Sequence, residues 1–286
     1  TSVTWLGLAI NAVLATGKML TGWLCYSQAI FADGLHSLSD CVTDVAVLAG
    51  IRIADRPADE QHPYGHRRAI TLVTAVLGLG LLAAACLIGY RAMRTMAVRT
   101  PVPIRVALPL ALAIASVLIK ELLYRLTARV GRRTGDTSVM ANAWHHRTDA
   151  FSSIAAAAGL TAVAVGGEKW HFMDHATAIV LASFLILVGV RILRLAAEEI
   201  MDRAPDQTML DEIARAVAAT DGVLSFHAIR ARSVGDKVEM DVHVQVDPES
   251  TVRTGHAIAS DVRNAVQQCC PDVVTVIVHI EPTEAD

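Results

Sequence analysis

His36 and Asp40 stand four residues apart inside one apolar stretch of the chain, and His145 and Asp149 stand four apart inside another. On a helix such residues share a face, one turn above the other. Two such helices facing each other bring two imidazoles and two carboxylates to one point, a four-ligand set for a divalent transition metal. Ionisable groups at membrane depth cost about 2.5–3.5 kcal/mol each even on a lenient scale, so a chain that keeps four of them there is expected to use them. Asp33 and Asp44 fall on the same helical face as His36 and Asp40; either can equally lie near the water interface. His146 points off the ligand face. Lys18 is a lone cation that can pair with a neighbouring carboxylate or snorkel.

Two further groups hold metal-ligand residue types. Asp59, His62 and His66 lie in a short polar loop, spaced so that they can wrap a metal. Near the C-terminus, His227, His243, His256, His279 and Glu281 fall in or beside expected strands and a helix. Surface loops and solvated strands commonly carry His without a metal, so spacing alone leaves both readings open for these groups. Yet the three groups together take most of the eleven His of the chain.

The elements that must position these residues are membrane spans. The 286 residues are 53% hydrophobic with a mean hydropathy of +0.43, too apolar for an ordinary soluble domain. A span needs about 20 mostly apolar residues. Six are expected, at roughly 4–27, 28–54, 69–92, 102–125, 141–166 and 175–198, within a transmembrane domain of residues 1–204. Arg56, Arg67, Arg68, Arg125, Arg129, Arg132, Arg133, Arg191, Arg194 and Arg203 flank one side of these spans, against Arg91, Arg94, Arg99, Arg105 and Lys169 on the other. The bias puts both termini in the cytoplasm. The net charge of −3 argues against a nucleic-acid partner. The five cysteines form no CxxC, which supports neither a zinc knuckle nor a disulfide framework; all five are read as packing residues. The chain opens on Thr1, not Met, which points to a short preceding piece, and the first span is too long for a signal peptide.

Beyond Asp202-Arg203-Ala204-Pro205-Asp206 the character changes. Residues 206–219 have helical spacing, 223–233 alternate, and 238–246 alternate strictly after a Gly235 turn. A helix over 251–268 and a β-branched strand over 273–280 follow. The order α-β-β-α-β predicts a cytoplasmic ferredoxin-like α+β domain over residues 205–286.

The segments ADGLHSLSD, RPADEQHPYGHRRA, NAWHHRTDAFSS, MDRAPD, FHAIR, DVHVQV, TGHAIAS and VHIEP together resemble the cation diffusion facilitator family, and within it the bacterial YiiP-type zinc/proton antiporters. The resemblance covers nearly the whole chain. It implies a transport site of His36, Asp40, His145 and Asp149, and a loop site of Asp59, His62 and His66. It implies a cytoplasmic site at a dimer interface using His227, His243, His279 and Glu281, with His256 as a bridging candidate. It further implies a homodimer steadied by a salt bridge for which Arg68 and Asp202 occupy the matching positions, in the lipid bilayer of the cell (inner) membrane. Two positions depart from close relatives, which have Asp in place of His36 in some cases and Asp in place of Glu281.

Two imidazoles and two carboxylates suit tetrahedral Zn²⁺, with Cd²⁺, Fe²⁺ or Co²⁺ as alternatives, and disfavour Mg²⁺ and Ca²⁺. Zinc requires neutral His and ionised Asp, so metal and protons compete for one site. The expected activity is therefore Zn²⁺ efflux in exchange for protons, with the loop and cytoplasmic sites regulatory. A non-transporting membrane metal sensor is the main rival. A membrane metallohydrolase lacks its HExxH mark, so no enzyme is expected, and a passive channel fits poorly with a closed four-ligand site.

Overall fold

The computed structural model describes residues 2–97, 104–134 and 137–283. Arg99 and the first two residues of the expected fourth span lie outside these, as does the side chain of Asp44. Six long helices come first: α1 (Ser2–Cys25), α2 (Gln28–Ala54), α3 (Ala69–Ala97), α4 (Ala107–Thr134), α5 (Thr137–Gly166) and α6 (Phe172–Ile200). Five of them, all but α2, are long and apolar enough to cross a membrane. The α2 helix matches them in length but carries Asp33, Asp40 and Asp44 along with His36. Outward faces hold large apolar residues such as Val76, Val165 and Leu187, as expected of helices solvated by lipid rather than water. The α4 helix runs further than the apolar pattern predicts, through Arg125, Arg129, Arg132 and Arg133. Straight-chain Arg favours helix, Arg125 pairs with Glu121 one turn back at 2.7 Å, and the Arg147 guanidinium of α5 lies over the Tyr124 ring of α4 at 4.7 Å.

The described chain forms two compact units: residues 1–46 with 76–193, and residues 47–75 with 194–286. The second unit thus takes in more than the expected C-terminal domain. In the first unit, α1 and α2 meet at small residues. A Cβ on Gly34 would come within 2.8 Å of the Met19 backbone nitrogen and 2.9 Å of Lys18 Cβ, and one on Gly22 within 2.8 Å of the Phe31 backbone nitrogen. Glycine at both positions is what allows this approach. The start of α2 is fixed from α6. The buried Asp174 carboxylate accepts from Ser27 Oγ (2.6 Å) and from the backbone amides of Gln28 (2.7 Å) and Ala29 (3.3 Å), satisfying N–H groups that a helix start leaves unpaired.

The C-terminal part of the second unit has the element order expected of it: α7 (Gln207–Ala218), β1 (Ser225–Val234), β2 (Lys237–Val246), α8 (Val252–Cys269) and β3 (Val273–Pro282). The sheet order is β1-β2-β3, with β1 antiparallel and β3 parallel to β2. Strict alternation on β2 buries Val238, Met240, Val242, Val244 and Val246. They share a core with Ile213 and Val217 of α7 and Ile258, Val262 and Val266 of α8. The helices cover one face of the sheet, which leaves the other to the polar residues of β2.

Candidate metal centres

Among the described residues, three groups of His and carboxylate side chains have ligand atoms within 4.8 Å of one another. The first joins His36 and Asp40 of α2 to Asp149 of α5. The His36 Nδ1 lies 3.9 Å from Asp40 Oδ2, and that nitrogen is buried without a hydrogen-bond partner among the described residues. A buried imidazole nitrogen with no hydrogen-bond partner, in a group with two carboxylates, is a ligand set whose nitrogen is unused by the protein. His145 stands one turn before Asp149, with Nδ1 3.6 Å from its Oδ1, and is 45% exposed where Asp149 is 6% exposed. It adjoins the group without entering the close triad. His146 is buried against Gly7 of α1 and contributes nothing to it.

Beside this triad lies a polar network that spacing did not reveal. Lys18 of α1 is fully buried, its Nζ 2.8 Å from Asp33 Oδ2 and donating to Ser153 Oγ at 2.9 Å. Ser152 Oγ donates to Asp33 Oδ1 at 2.7 Å. Asp33 is thus the partner of Lys18 rather than a member of the triad. Lys120 of α4, also buried, donates to the Asp149 carbonyl (3.0 Å) and to Ser37 Oγ (3.3 Å). Its only trace in the sequence is a charge inside the fourth apolar run.

The second group is Asp59, His62 and His66. Asp59 Oδ1 accepts from the backbone amides of Gln61 (3.0 Å) and His62 (2.7 Å), a local turn. The His62 amide holds the Asp59 carboxyl below its usual pKa range. His62 Nδ1 lies 3.1 Å and His66 Nε2 3.4 Å from Asp59 oxygens, and Gly65 at φ +83° provides the turn between the two His.

The third group is His227, His243 and Glu281, with His279 adjoining it, and it follows from strand register. His227 pairs with His243 across β1 and β2, and His243 with His279 across β2 and β3, which makes a row of three imidazoles. Glu281, two residues on, reaches all three: 2.8 Å to His243, 3.4 Å to His227 and 3.4 Å to His279. A bulge follows His227, with Ala228 at φ +52°. His256 is exposed on α8, the helix that packs on the buried residues of the sheet, and lies outside the grouped residues. Arg68 pairs with Asp202 within one chain at 2.5 Å, and Arg232 reaches Asp202 at 3.3 Å. The Arg68 guanidinium holds the Asp202 carboxyl below its ordinary range.

Comparison with known proteins supplies the class. Residues 4–201 match the cation efflux transmembrane domain, and residues 205–283 the cytoplasmic domain of cation efflux proteins. The chain is 34% identical to Metal tolerance protein C1 of Arabidopsis thaliana, covering 97% of this chain and 61% of that one. It is 31% identical to the manganese efflux system protein MneP of Bacillus subtilis, covering 98% and 95%. It is 29% identical to the magnetosome protein MamB of Magnetospira sp., covering 98% and 94%. Among solved structures, a MamM C-terminal domain is 29% identical over 27% of this chain and 95% of that chain, at a TM-score of 0.27.

Proposed function

The chain belongs to the cation diffusion facilitator family of metal transporters, and from that premise we propose that it exports Zn²⁺ from the cytoplasm in exchange for protons. The cargo site is His36, Asp40 and Asp149, completed by His145. The observation that carries this reading is the convergence of His36, Asp40 and Asp149 from two helices, with a buried, unpartnered His36 nitrogen among them. Imidazole and carboxylate donors at about 2.0–2.2 Å are zinc chemistry. Bound metal requires neutral His and ionised Asp, whereas protons occupy the same atoms when metal leaves, so loading and unloading are coupled to proton movement. Because the ligands come from both α2 and α5, the access change moves these two helices relative to each other. In this reading α2 crosses the membrane with the other five helices, its charges sheltered inside the bundle.

The cytoplasmic group His227, His243, His279 and Glu281 offers nitrogen and oxygen donors on the open face of the sheet. We assign it a regulatory metal bound where two copies of this domain meet, with residues 205–286 as the dimerising domain. Bound metal would stabilise that form by mass action. Asp59, His62 and His66 form a similar accessory site. Manganese is the second reading for the cargo, favoured by the identity with MneP.

The test is metal flux in proteoliposomes, for Zn²⁺ and Mn²⁺, with and without a pH gradient, in wild type and Asp149→Ala. Gradient-dependent zinc flux lost in Asp149→Ala supports the proposal. Manganese flux in preference to zinc replaces the cargo. Binding without flux of either metal leaves a sensor, and flux indifferent to pH removes the proton coupling.

A further inference from the structure

Lys18 and Lys120 are both buried in the helical unit, at 0% and 1% exposure, although neither is a metal ligand. A buried ammonium costs several kcal/mol unless it is compensated, and the two are compensated differently. Lys18 is ion-paired with Asp33 at 2.8 Å. Lys120 Nζ instead donates to two uncharged oxygens, the Asp149 carbonyl at 3.0 Å and Ser37 Oγ at 3.3 Å. Asp149 belongs to the triad, and Ser37 follows His36 directly in the chain. The second lysine holds the same hydroxyl, since Lys18 Nζ donates to Ser37 Oγ at 3.3 Å. Lys120 thus sits between the α2 and α5 halves of the cation site and has its position set from both.

We propose that Lys120 is a specificity- and turnover-setting residue of the cation site: a fixed positive charge that weakens the hold on a divalent cation enough for its release. The proposal rests on the assignment of His36, Asp40 and Asp149 as the cargo site. The charge count gives the reason. With the Lys18–Asp33 pair neutral overall, Asp40, Asp149 and Lys120 sum to one negative charge when the site holds neither metal nor protons and to one positive charge when it holds a divalent cation. Without Lys120 the loaded site is neutral, and in a low-dielectric interior such a complex is long-lived. A transporter must bind tightly enough to load and weakly enough to unload.

The experiment measures zinc transport in proteoliposomes for wild type, Lys120→Met, Lys120→Gln, Lys120→Arg and the double variant Lys18→Met with Asp33→Asn. Each protein is checked for a single size-exclusion peak. Loss of the charge in Lys120→Met or Lys120→Gln is expected to lower KM for zinc roughly ten- to a hundredfold and to lower kcat with it, since repulsion between a buried ammonium and a nearby divalent cation in a protein interior is worth that much. Lys120→Arg, permanently charged, keeps KM within about threefold of wild type, and the double variant, which removes a paired plus and minus together, does not lower it. A merely structural role would not tighten binding. An unchanged or raised KM in folded Lys120→Met overturns the proposal. So does Lys120→Arg behaving like Lys120→Met, an equal fall in KM in the double variant, or failure of both neutral variants to fold. Zinc flux that survives Asp149→Ala defeats the cargo-site assignment itself; loss of flux there with an unchanged KM in Lys120→Met defeats the role of Lys120 alone.

Discussion

Removing the Asp174 carboxylate tests how the ligand-bearing helix is held. Asp174 belongs to the first turn of α6, yet its carboxylate accepts from Ser27 Oγ at 2.6 Å, the Gln28 amide at 2.7 Å and the Ala29 amide at 3.3 Å. These contacts cap the helix that carries His36 and Asp40. Loss of a helix cap costs about 0.5–2 kcal/mol. The Ser27 hydroxyl is a further donor to a carboxylate, and such a bond contributes about 1.5–3 kcal/mol. Asp174 is fully buried, so no water replaces it. Asp174→Ala is therefore expected to cost about 2–5 kcal/mol in all. At roughly 2–4 °C per kcal/mol for a chain of this size, that is a melting-point fall of about 4–20 °C.

The assay is thermal unfolding of the detergent-solubilised protein, with zinc flux measured on the same preparation. Asp174→Asn keeps one acceptor oxygen in the same place and is expected to fall between wild type and Ala. Since the first turn of α2 lies two turns before His36, zinc KM is expected to rise in Asp174→Ala along with the loss of stability. A melting point within about 2 °C of wild type, with unchanged KM, would refute the reasoning that this cap positions the ligand helix.

Two other outcomes check the second unit. In an Asp149→Ala, Asp59→Ala background, which removes the membrane and loop sites, zinc at a hundredfold excess over its Kd is expected to stabilise the chain by about 2.7 kcal/mol; Glu281→Gln should abolish that shift, because among the described residues Glu281 is the carboxylate that reaches all three imidazoles of the row, and a shift that survives would mean metal binds elsewhere. The Arg68–Asp202 pair gives a pH signature: its carboxyl pKa is depressed, so its stabilisation is complete above the ordinary Asp value near 3.9 and declines as pH falls through the folded value. Both side chains are nearly half exposed, so Arg68→Met should cost less than about 1 kcal/mol at pH 7 and nothing at the acid end, as read from melts across that range; a difference that grows on acidification would contradict the assignment.

Helical period and strand alternation made most of the framework legible. His36 and Asp40 stand four apart on one apolar helix, and register between β1, β2 and β3 turned three separately spaced His into one row. What the sequence hid is polar chemistry whose partners lie far apart in the chain. Asp174 looks like an ordinary first-turn carboxylate of α6, and nothing local says that it caps α2, more than a hundred residues upstream. Lys120 is a cation within the fourth expected span, and only the α4–α5 packing places its Nζ on the Asp149 carbonyl. His256 has the right residue type but lies on α8, the helix packed against the other face of the sheet, apart from the grouped residues.

These hidden contacts share one physical feature. Each links a ligand-bearing helix, α2 or α5, to a helix that supplies no carboxylate or imidazole to the triad: Asp174 from α6, Lys18 from α1, Lys120 from α4. A cation site made only by α2 and α5 would be free to drift open wherever lipid packing allowed, because apolar contact between spans is weakly directional. Directional bonds from buried charged groups fix where the two halves stand, Lys18 and Lys120 at the level of Ser37 and Asp149 and Asp174 at the start of α2, two turns before His36. The positioning of the site is therefore carried by charges outside it. That is why Asp174→Ala is expected to loosen the hold of the site on its cation although Asp174 offers no donor to it, whereas Lys120 acts on the site through its charge.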